Sequence, residues 1–146
     1  MSVRTVIGLS LLAVFTIATA YAADEVKLDG VKCCVQGTKP AKAENFVEYK
    51  GAKAFFCCMN CPKEFKADTA KFAAKANHQL VASKQAKQKA CPLSGEDVDA
   101  STAIKVSGIE IAFCCNMCKG KAEAEKDQIA FLFDDKKFEK AYKVGK

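Results

Sequence analysis

Histidine and arginine are almost missing from this 146-residue sequence. Arg4 is its one arginine, and its other basic charge comes from lysines interspersed with glutamate and aspartate. Arginine supplies the fork that binds phosphates and guanine edges in nucleic-acid interfaces, whereas mixed lysine and acidic residues are typical of a solvated surface. Although the net charge is +6, we therefore expect no nucleic-acid partner.

The sequence also has few of the groups that catalysis requires. His78 is its one histidine, and no histidine accompanies the cysteines of the second half of the chain, so a Cys-His nucleophile cannot form there. Neither a Gly-rich phosphate loop nor a nucleophile elbow is present. We expect that the protein is not an enzyme.

The apolar run at residues 6–18 is shorter than the roughly 20 residues of a transmembrane helix. It follows Arg4 and precedes Ala-Tyr-Ala at residues 20–22, which is the order of a secretory signal and its cleavage site. We predict a signal peptide at residues 1–22, a periplasmic or secreted protein, and no stable membrane insertion after cleavage. A retained N-terminal anchor is the alternative interpretation.

Cysteine, in contrast, is abundant and clustered. Phe-Cys-Cys-x-x-Cys occurs at residues 56–61 and again at residues 113–118, and each copy follows an upstream cysteine, Cys33 or Cys91, at nearly the same distance. One upstream cysteine with a tight downstream group is how a small module binds a soft metal ion. Small exported domains also use cysteines for disulfides, but the count of nine excludes full pairing within one chain.

The two cysteine sets belong to an internal repeat, which divides the mature chain into units at residues 23–83 and 84–146. Each unit has a β-hairpin pattern ending at its cysteines, residues 46–56 and 104–113, and a helical pattern after them. We predict an α+β fold of two small treble-clef-like, zinc-finger-type units, each a loop, a hairpin and a helix.

The remaining segments predict helices. Phe65, Phe72, Ala73, Ala76 and Leu80 fall on one helical face after the first hairpin. Residues 81–89 contain neither Pro nor Gly, so we expect them to continue this helix as a helical connector that fixes the units relative to each other. After the apolar run at residues 129–133, Asp134 or Asp135 is expected to cap a last helix that carries Phe138, Ala141 and Tyr142.

The chain resembles the YHS and TRASH domains, small metal-binding modules related to the treble clef. The shared residues are Cys-Pro-x-x-Gly at residues 91–95, a hairpin with a turn glycine, and Phe-Cys-x-x-x-Cys leading into a helix in both units. In that family such modules are proposed to bind or sense heavy metals, copper among them, and often accompany metal transporters. The ligands that the resemblance implies are Cys33, Cys57, Cys61, Cys91, Cys114 and Cys118.

One departure bears on the metal. A full treble clef has Cys-x-x-Cys as its first pair, but Gln36 and Ser94 occupy the second position here. Each unit therefore offers three well-placed thiolates, whereas structural zinc prefers four protein ligands and copper(I) suits fewer thiolates. We expect two sites for zinc or copper(I), with an exchangeable soft ion favoured over a permanent structural zinc.

Several residues near the motifs have two interpretations. Cys58 and Cys115 are either further metal ligands or small buried hydrophobes. Cys34 has no counterpart, since Pro92 takes its place, and is expected to be free. A capping or surface role is favoured for His78, and core packing for Met59 and Met117, with thioether contact to copper(I) as the alternative.

The function that these patterns predict is an exported thiolate metal-binding protein, a carrier, buffer or sequestering protein for copper or zinc. Its partners would be metal ions and a metal transporter or other metal-handling protein. One alternative is a thiol–disulfide redox protein that uses the Cys-x-x-Cys pairs at residues 58–61 and 115–118, although the β-α-β pattern of thioredoxin-like proteins is missing. The other is an interaction module stapled by disulfides or zinc.

Overall fold

A computed structural model of the chain describes residues 26–145, so the predicted signal peptide lies outside the described residues. This part of the chain has a mixed α+β fold, and no helix within it is long and apolar enough to cross a membrane. In chain order its elements are β1 (Lys42–Tyr49), β2 (Ala52–Phe56), α1 (Cys61–Ala67), α2 (Thr69–Ala82), β3 (Ala86–Gln88), β4 (Asp99–Val106), β5 (Ile109–Phe113), α3 (Asn116–Ala124), α4 (Gln128–Leu132), α5 (Asp135–Ala141) and β6 (Tyr142–Val144).

The two predicted hairpins are present and share one turn design. Strands β1 and β2 pair antiparallel, as do β4 and β5, each with a register shift near its open end. Both turn residues have positive φ in each hairpin, Lys50 and Gly51 in the first and Ser107 and Gly108 in the second. A two-residue turn of this kind matches the right-handed twist of the strands. Each hairpin therefore carries its second strand directly to a cysteine motif.

A helix follows each cysteine motif, as the sequence predicts, but the first is divided. Helix α1 begins at Cys61 with a proline in its first turn and ends at Ala67, and Asp68 then caps α2 by accepting a hydrogen bond from the N–H of Lys71. The residues predicted to share one helical face are all buried, but Phe65 lies on α1 and the other four on α2. Asp68 favours this break because its carboxylate satisfies an N-terminal N–H of the new helix.

The prediction that residues 81–89 continue this helix as the connector is wrong beyond Ala82. Ser83 Oγ donates to the carbonyl of Gln79, and Lys84 has a left-handed φ of 60°, so the helix ends there. The chain then forms β3, which pairs antiparallel with β6 at the C-terminal end of the described residues. Tyr142, predicted on the last helix, is the first residue of β6.

Helix α2 links two apolar cores. Its Phe72 and Ala76 pack with the first hairpin and α1, while its Leu80 packs with the second hairpin, α4 and α5. On the same helix Asn77 donates to the carbonyl of Phe133 across the junction. The first hairpin turn also contacts α5, because Lys50 forms ion pairs with the acidic residues Asp135 and Glu139. The two halves therefore pack against each other through α2.

Candidate metal centre

Three cysteines of the first half meet at the junction of a loop, a strand and a helix. Cys33 comes from the loop before β1, Cys57 directly follows β2, and Cys61 is the first residue of α1. Their Sγ atoms all lie within 4.8 Å of one another, and those of Cys57 and Cys61 are 3.6 Å apart. Cys33 and Cys61 are buried and Cys57 is 9% exposed, so this group can hold a metal ion with little contact with solvent.

The second half repeats the arrangement with a more exposed group. Cys91, Cys114 and Cys118 also have their Sγ atoms within 4.8 Å of one another, with 3.7 Å between the last two. Cys91 is buried, but Cys114 and Cys118 are half-buried. The structure thus brings together the six cysteines that the resemblance implied as ligands, three at each site. Two three-cysteine groups that can hold metal ions are found among residues 26–145.

A buried glutamine side chain fixes the position of the first site. Gln79 of α2 accepts a hydrogen bond from the N–H of Phe55 at 2.7 Å and donates to the carbonyls of Phe55 and Lys32 at 2.8 and 2.7 Å. One side chain therefore holds both β2, which leads into Cys57, and the loop that carries Cys33. This role was not predicted from the sequence, where the one signal for it is a polar residue within the apolar pattern of α2.

An equivalent contact supports the second site. Gln88 of β3 accepts from the N–H of Ala112 at 3.0 Å and donates to its carbonyl at 2.7 Å. The Thr102 hydroxyl accepts from the N–H of Phe113 at 2.9 Å, where the register of the hairpin shifts. These bonds replace the strand pairing that the shift removes and keep Cys114 beside Cys91.

The upstream cysteine of each site lies among hydrogen-bond donors. Burial opposes ionisation of Cys33, but backbone N–H groups, that of Gln36 first among them, outweigh it and lower the pKa of the thiol. Burial likewise opposes ionisation of Cys91, yet the hydroxyl and N–H of Ser94 together with other N–H groups lower its pKa to about 6. Hydrogen bonding to the charged form favours that form. At each site these hydrogen bonds therefore favour the thiolate form of the upstream cysteine.

The helix cysteine of each site has the opposite tendency. Burial raises the pKa of Cys61, and contacts with the neighbouring thiols add to the effect. Burial and the neighbouring thiols raise the pKa of Cys118 to about 12 in the same way. A metal ion binds thiolates, so loading either site must displace protons from these thiols.

Cys58 and Cys115 occupy a different position from the three cysteines of each group. Both are exposed, so their interpretation as small buried hydrophobes is wrong. Cys58 Sγ lies 3.3 Å from Cys61 Sγ, and Cys115 Sγ lies 3.7 Å from Cys114 Sγ, but neither sulfur is part of a mutually close trio. Backbone N–H groups, that of Cys61 first, lower the pKa of Cys58 to about 7. The two thiols lie beside the sites on their solvent side.

The remaining sulfur-containing residues divide into buried and exposed ones. Cys34 is free and buried, and its burial raises the pKa of the thiol to about 12. Met59 and Met117 are 74% and 70% exposed, so the interpretation of core packing is wrong for both. Both methionines thus lie on the solvent side of their motifs, together with the exposed Cys58 and Cys115.

His78 contacts neither site. Its ring packs edge-on against Phe133, and Nε2 lies 3.5 Å from the carbonyl oxygen of Val106. Burial lowers the pKa of the imidazole, which favours its neutral form. His78 therefore packs between the halves of the chain, and it neither caps a helix nor lies free on the surface as the sequence favoured.

The position where a four-cysteine site would have its second ligand differs between the sites. Gln36 donates to Cys33 Sγ through its backbone N–H at 3.5 Å. Ser94 donates its hydroxyl to Cys114 Sγ at 3.2 Å. The following glycines differ as well, because a Cβ on Gly95 would meet the side chain of Lys140 at 3.0 Å, while one on Gly37 would meet nothing within 4 Å. The side chain of Lys140 on α5 thus lies beside the loop of the second site.

Comparison of the chain with protein-family models, with curated proteins and with solved structures gives no match.

Proposed function

We propose that this chain is an exported metal-binding protein that carries, buffers or sequesters a soft ion, copper(I) or zinc, one at each three-cysteine site. The observation that carries the proposal is the repeated grouping of three Sγ atoms within 4.8 Å. Thiolate ligands select soft ions such as copper(I) and also bind zinc. The repeat supports metal binding as the function, because the same grouping of three cysteines recurs in both halves although the residues around it differ.

The ligand number favours exchange over permanent retention. Structural zinc sites are closed by four protein ligands, and here three sulfurs form each group. The fourth corner is approached by the hydroxyl of Ser94 at one site and by a backbone N–H of Gln36 at the other. Neither of these groups is a thiolate. Three thiolates can complete the coordination of copper(I). Zinc prefers four ligands, so the same site would leave one position of zinc open to an incoming ligand.

The family and the cellular setting are part of the same proposal. The order of cysteine loop, hairpin, cysteine pair and helix in both halves supports a relation to the YHS and TRASH domains and to the treble clef. The signal-peptide pattern at residues 1–22 supports export. A metal transporter or another metal-handling protein is the expected partner, and metal binding without catalysis is the expected role.

The test is thiol protection. Fully reduced protein is loaded with copper(I) or zinc and treated with an alkylating reagent, and the modified cysteines are identified by peptide mass spectrometry. Coordinated thiolates are occupied, so the six grouped cysteines should be protected in the loaded protein and modified after the metal is removed. Equal modification of all six with and without metal would contradict metal binding at these sites.

A redox function is the second candidate, and one observation favours it. Cys58 is exposed, has a pKa of about 7, and lies 3.3 Å from Cys61 at the start of a helix, which resembles the reactive pair of a dithiol oxidoreductase. Under this hypothesis the metal-free protein catalyses the reduction of a test disulfide, and Cys58→Ser or Cys115→Ser abolishes the activity. Under the metal-binding proposal the metal-free protein has no such activity.

A further inference from the structure

We infer that Cys58 and Cys115 are relay thiols, through which the soft ion enters and leaves the three-cysteine site beside each of them. The inference rests on the proposed function and assigns its exchange step. Both residues are exposed, whereas the trio cysteines are buried at the first site and, apart from the buried Cys91, half-buried at the second. An ion held by the first site needs a donor that solvent can reach.

The distances place each relay thiol within reach of its group. Cys58 Sγ lies 3.3 Å from Cys61 Sγ, and Cys115 Sγ lies 3.7 Å from Cys114 Sγ. Neither sulfur belongs to a mutually close trio, so each lies beside one ligand of its group and not among all three. A sulfur in this position can take an ion from one ligand of the trio with a small displacement, and it faces solvent on its other side.

The repeat supplies independent support. The relay cysteine recurs in both halves, while the other additional cysteine, Cys34, has no counterpart and is buried. Each Cys-x-x-Cys segment also presents an exposed thioether, Met59 or Met117. Exposed sulfur donors beside both sites suit an acceptor that binds the ion through sulfur, because soft ligands exchange soft ions among themselves.

The transfer step is an associative ligand exchange. The thiol of Cys58 gives its proton to water, and its sulfur forms a bond to the ion as one bond between the ion and a trio sulfur breaks. The freed thiolate then takes a proton from water, so charge and protons balance. The ion keeps its oxidation state throughout. Ligands of the acceptor then replace the two remaining trio sulfurs in turn, and each freed thiolate takes a proton from water. The bond between the ion and Cys58 breaks last, and the Cys58 sulfur regains its proton as the ion passes to the acceptor.

The experiment measures copper(I) transfer from the loaded, reduced protein to the chromogenic chelator bicinchoninate by stopped-flow absorbance. The variants are Cys58→Ser, Cys115→Ser and the double variant. Cys34→Ser is the matched control, because it removes a thiol that lies next in sequence to Cys33 but faces the core. Native mass spectrometry of each variant counts the bound ions, and circular dichroism verifies its fold.

The relay predicts that all variants bind the same number of ions as the natural protein, while transfer slows. The double variant should lose about tenfold in rate or more, which corresponds to about 1.4 kcal/mol of barrier. Each single variant should slow one of two kinetic phases, and Cys34→Ser should change neither. Unchanged rates in the double variant would overturn the relay. Loss of a bound ion in Cys58→Ser would overturn it as well, since Cys58 would then be a resident ligand.

A second measurement keeps this inference separate from the proposed function. In the loaded natural protein an alkylating reagent should modify Cys58 and Cys115 while the six grouped cysteines stay protected. Protection of Cys58 and Cys115 would contradict the relay and leave metal binding intact. Failure of the natural protein to bind copper(I) or zinc at all would contradict the proposed function itself.

Discussion

Ser94 Oγ donates a hydrogen bond to Cys114 Sγ over 3.2 Å from the sequence position where a four-cysteine site would have its second ligand. The same hydroxyl helps to lower the pKa of Cys91. A hydroxyl has a single proton to donate, so it bonds one of these two sulfurs at a time, and it adds no thiolate to the site. The second site therefore has a hydroxyl and not a thiolate at this position, which is the basis of the proposal that the site exchanges its ion.

A fourth cysteine at either site should slow the release of its metal ion. Ser94→Cys would add a fourth thiolate to the second site, and we expect zinc release to a chelator to slow by at least about tenfold, the scale that one group in a metal site commands. Gln36→Cys should do the same at the first site. Ser94→Ala is the control, since it removes the hydroxyl without adding a ligand.

The contrary outcome has a defined meaning. If Ser94→Cys leaves the release rate unchanged, the natural site is already closed by another ligand, and the ion is a structural staple. Cys58→Ala or Cys115→Ala should in that case unfold its half of the chain. Thermal unfolding of the two alanine variants in the presence of zinc distinguishes these cases.

The two sites should load independently. Cys61→Ser removes one sulfur of the first trio, while the second trio lies on other elements of the chain. We expect this variant to bind about one ion fewer and the reciprocal Cys118→Ser to do likewise, as counted by native mass spectrometry. A loss of both ions from either single change would indicate one cluster shared between the halves.

The stability of the reduced, metal-free protein should depend on the ionisation of Cys91. Its pKa falls from 9.0 for the ordinary thiol to about 6 in the folded chain. A lowered pKa contributes stability that is complete above the unfolded value and lost as pH falls toward the folded one. We therefore expect the free energy of unfolding to rise between about pH 6 and pH 9, and Cys91→Ser to flatten that rise in urea titrations.

The ionisation of Cys118 should change the free energy of unfolding with pH in the opposite direction. Its pKa is raised to about 12, so its contribution is complete below the unfolded value of 9.0 and is lost as pH rises above it. A free energy of unfolding that increases with the same slope in Cys91→Ser and in the natural protein would contradict the assignment of the low pKa to Cys91.

Gln79 should be the most costly polar residue of the first half to replace. Gln79→Leu would leave the N–H of Phe55 and two carbonyls without their partner in a buried environment. We expect a loss of about 2–4 kcal/mol in the free energy of unfolding and weaker binding at the first site. Gln128→Leu, which removes a single hydrogen bond to Ala122, should cost about 1 kcal/mol or less.

The local features of the fold could be predicted from the sequence because neighbouring residues specify them. The hairpin turns require positive φ at two adjacent positions, which Lys50-Gly51 and Ser107-Gly108 provide. The three-cysteine groups could be predicted because each hairpin delivers its second strand to a helix start. Asp134, expected as one of two possible caps, does cap α5 by accepting from the N–H of Lys137.

Long-range pairing could not be predicted. Strand β3 has three residues and pairs with β6 near the other end of the chain, so its lysine and glutamine residues carried no strand periodicity. Residues 83–85 have the composition of a helix, but the gain from that pairing and the clamp of Gln88 on Ala112 override this propensity. The exposure of Met59 and Met117 could not be predicted from the sequence either, because it depends on which cysteines of each motif face the core.

Native mass spectrometry of the full chain tests the central claim most directly. Protein prepared under reducing conditions and supplied with copper(I) or zinc in slight excess should bind two ions, one for each group of three cysteines. Its mass should show no disulfide in the grouped cysteines. A protein that binds no ion, or that binds none until its fold is lost, would contradict the account.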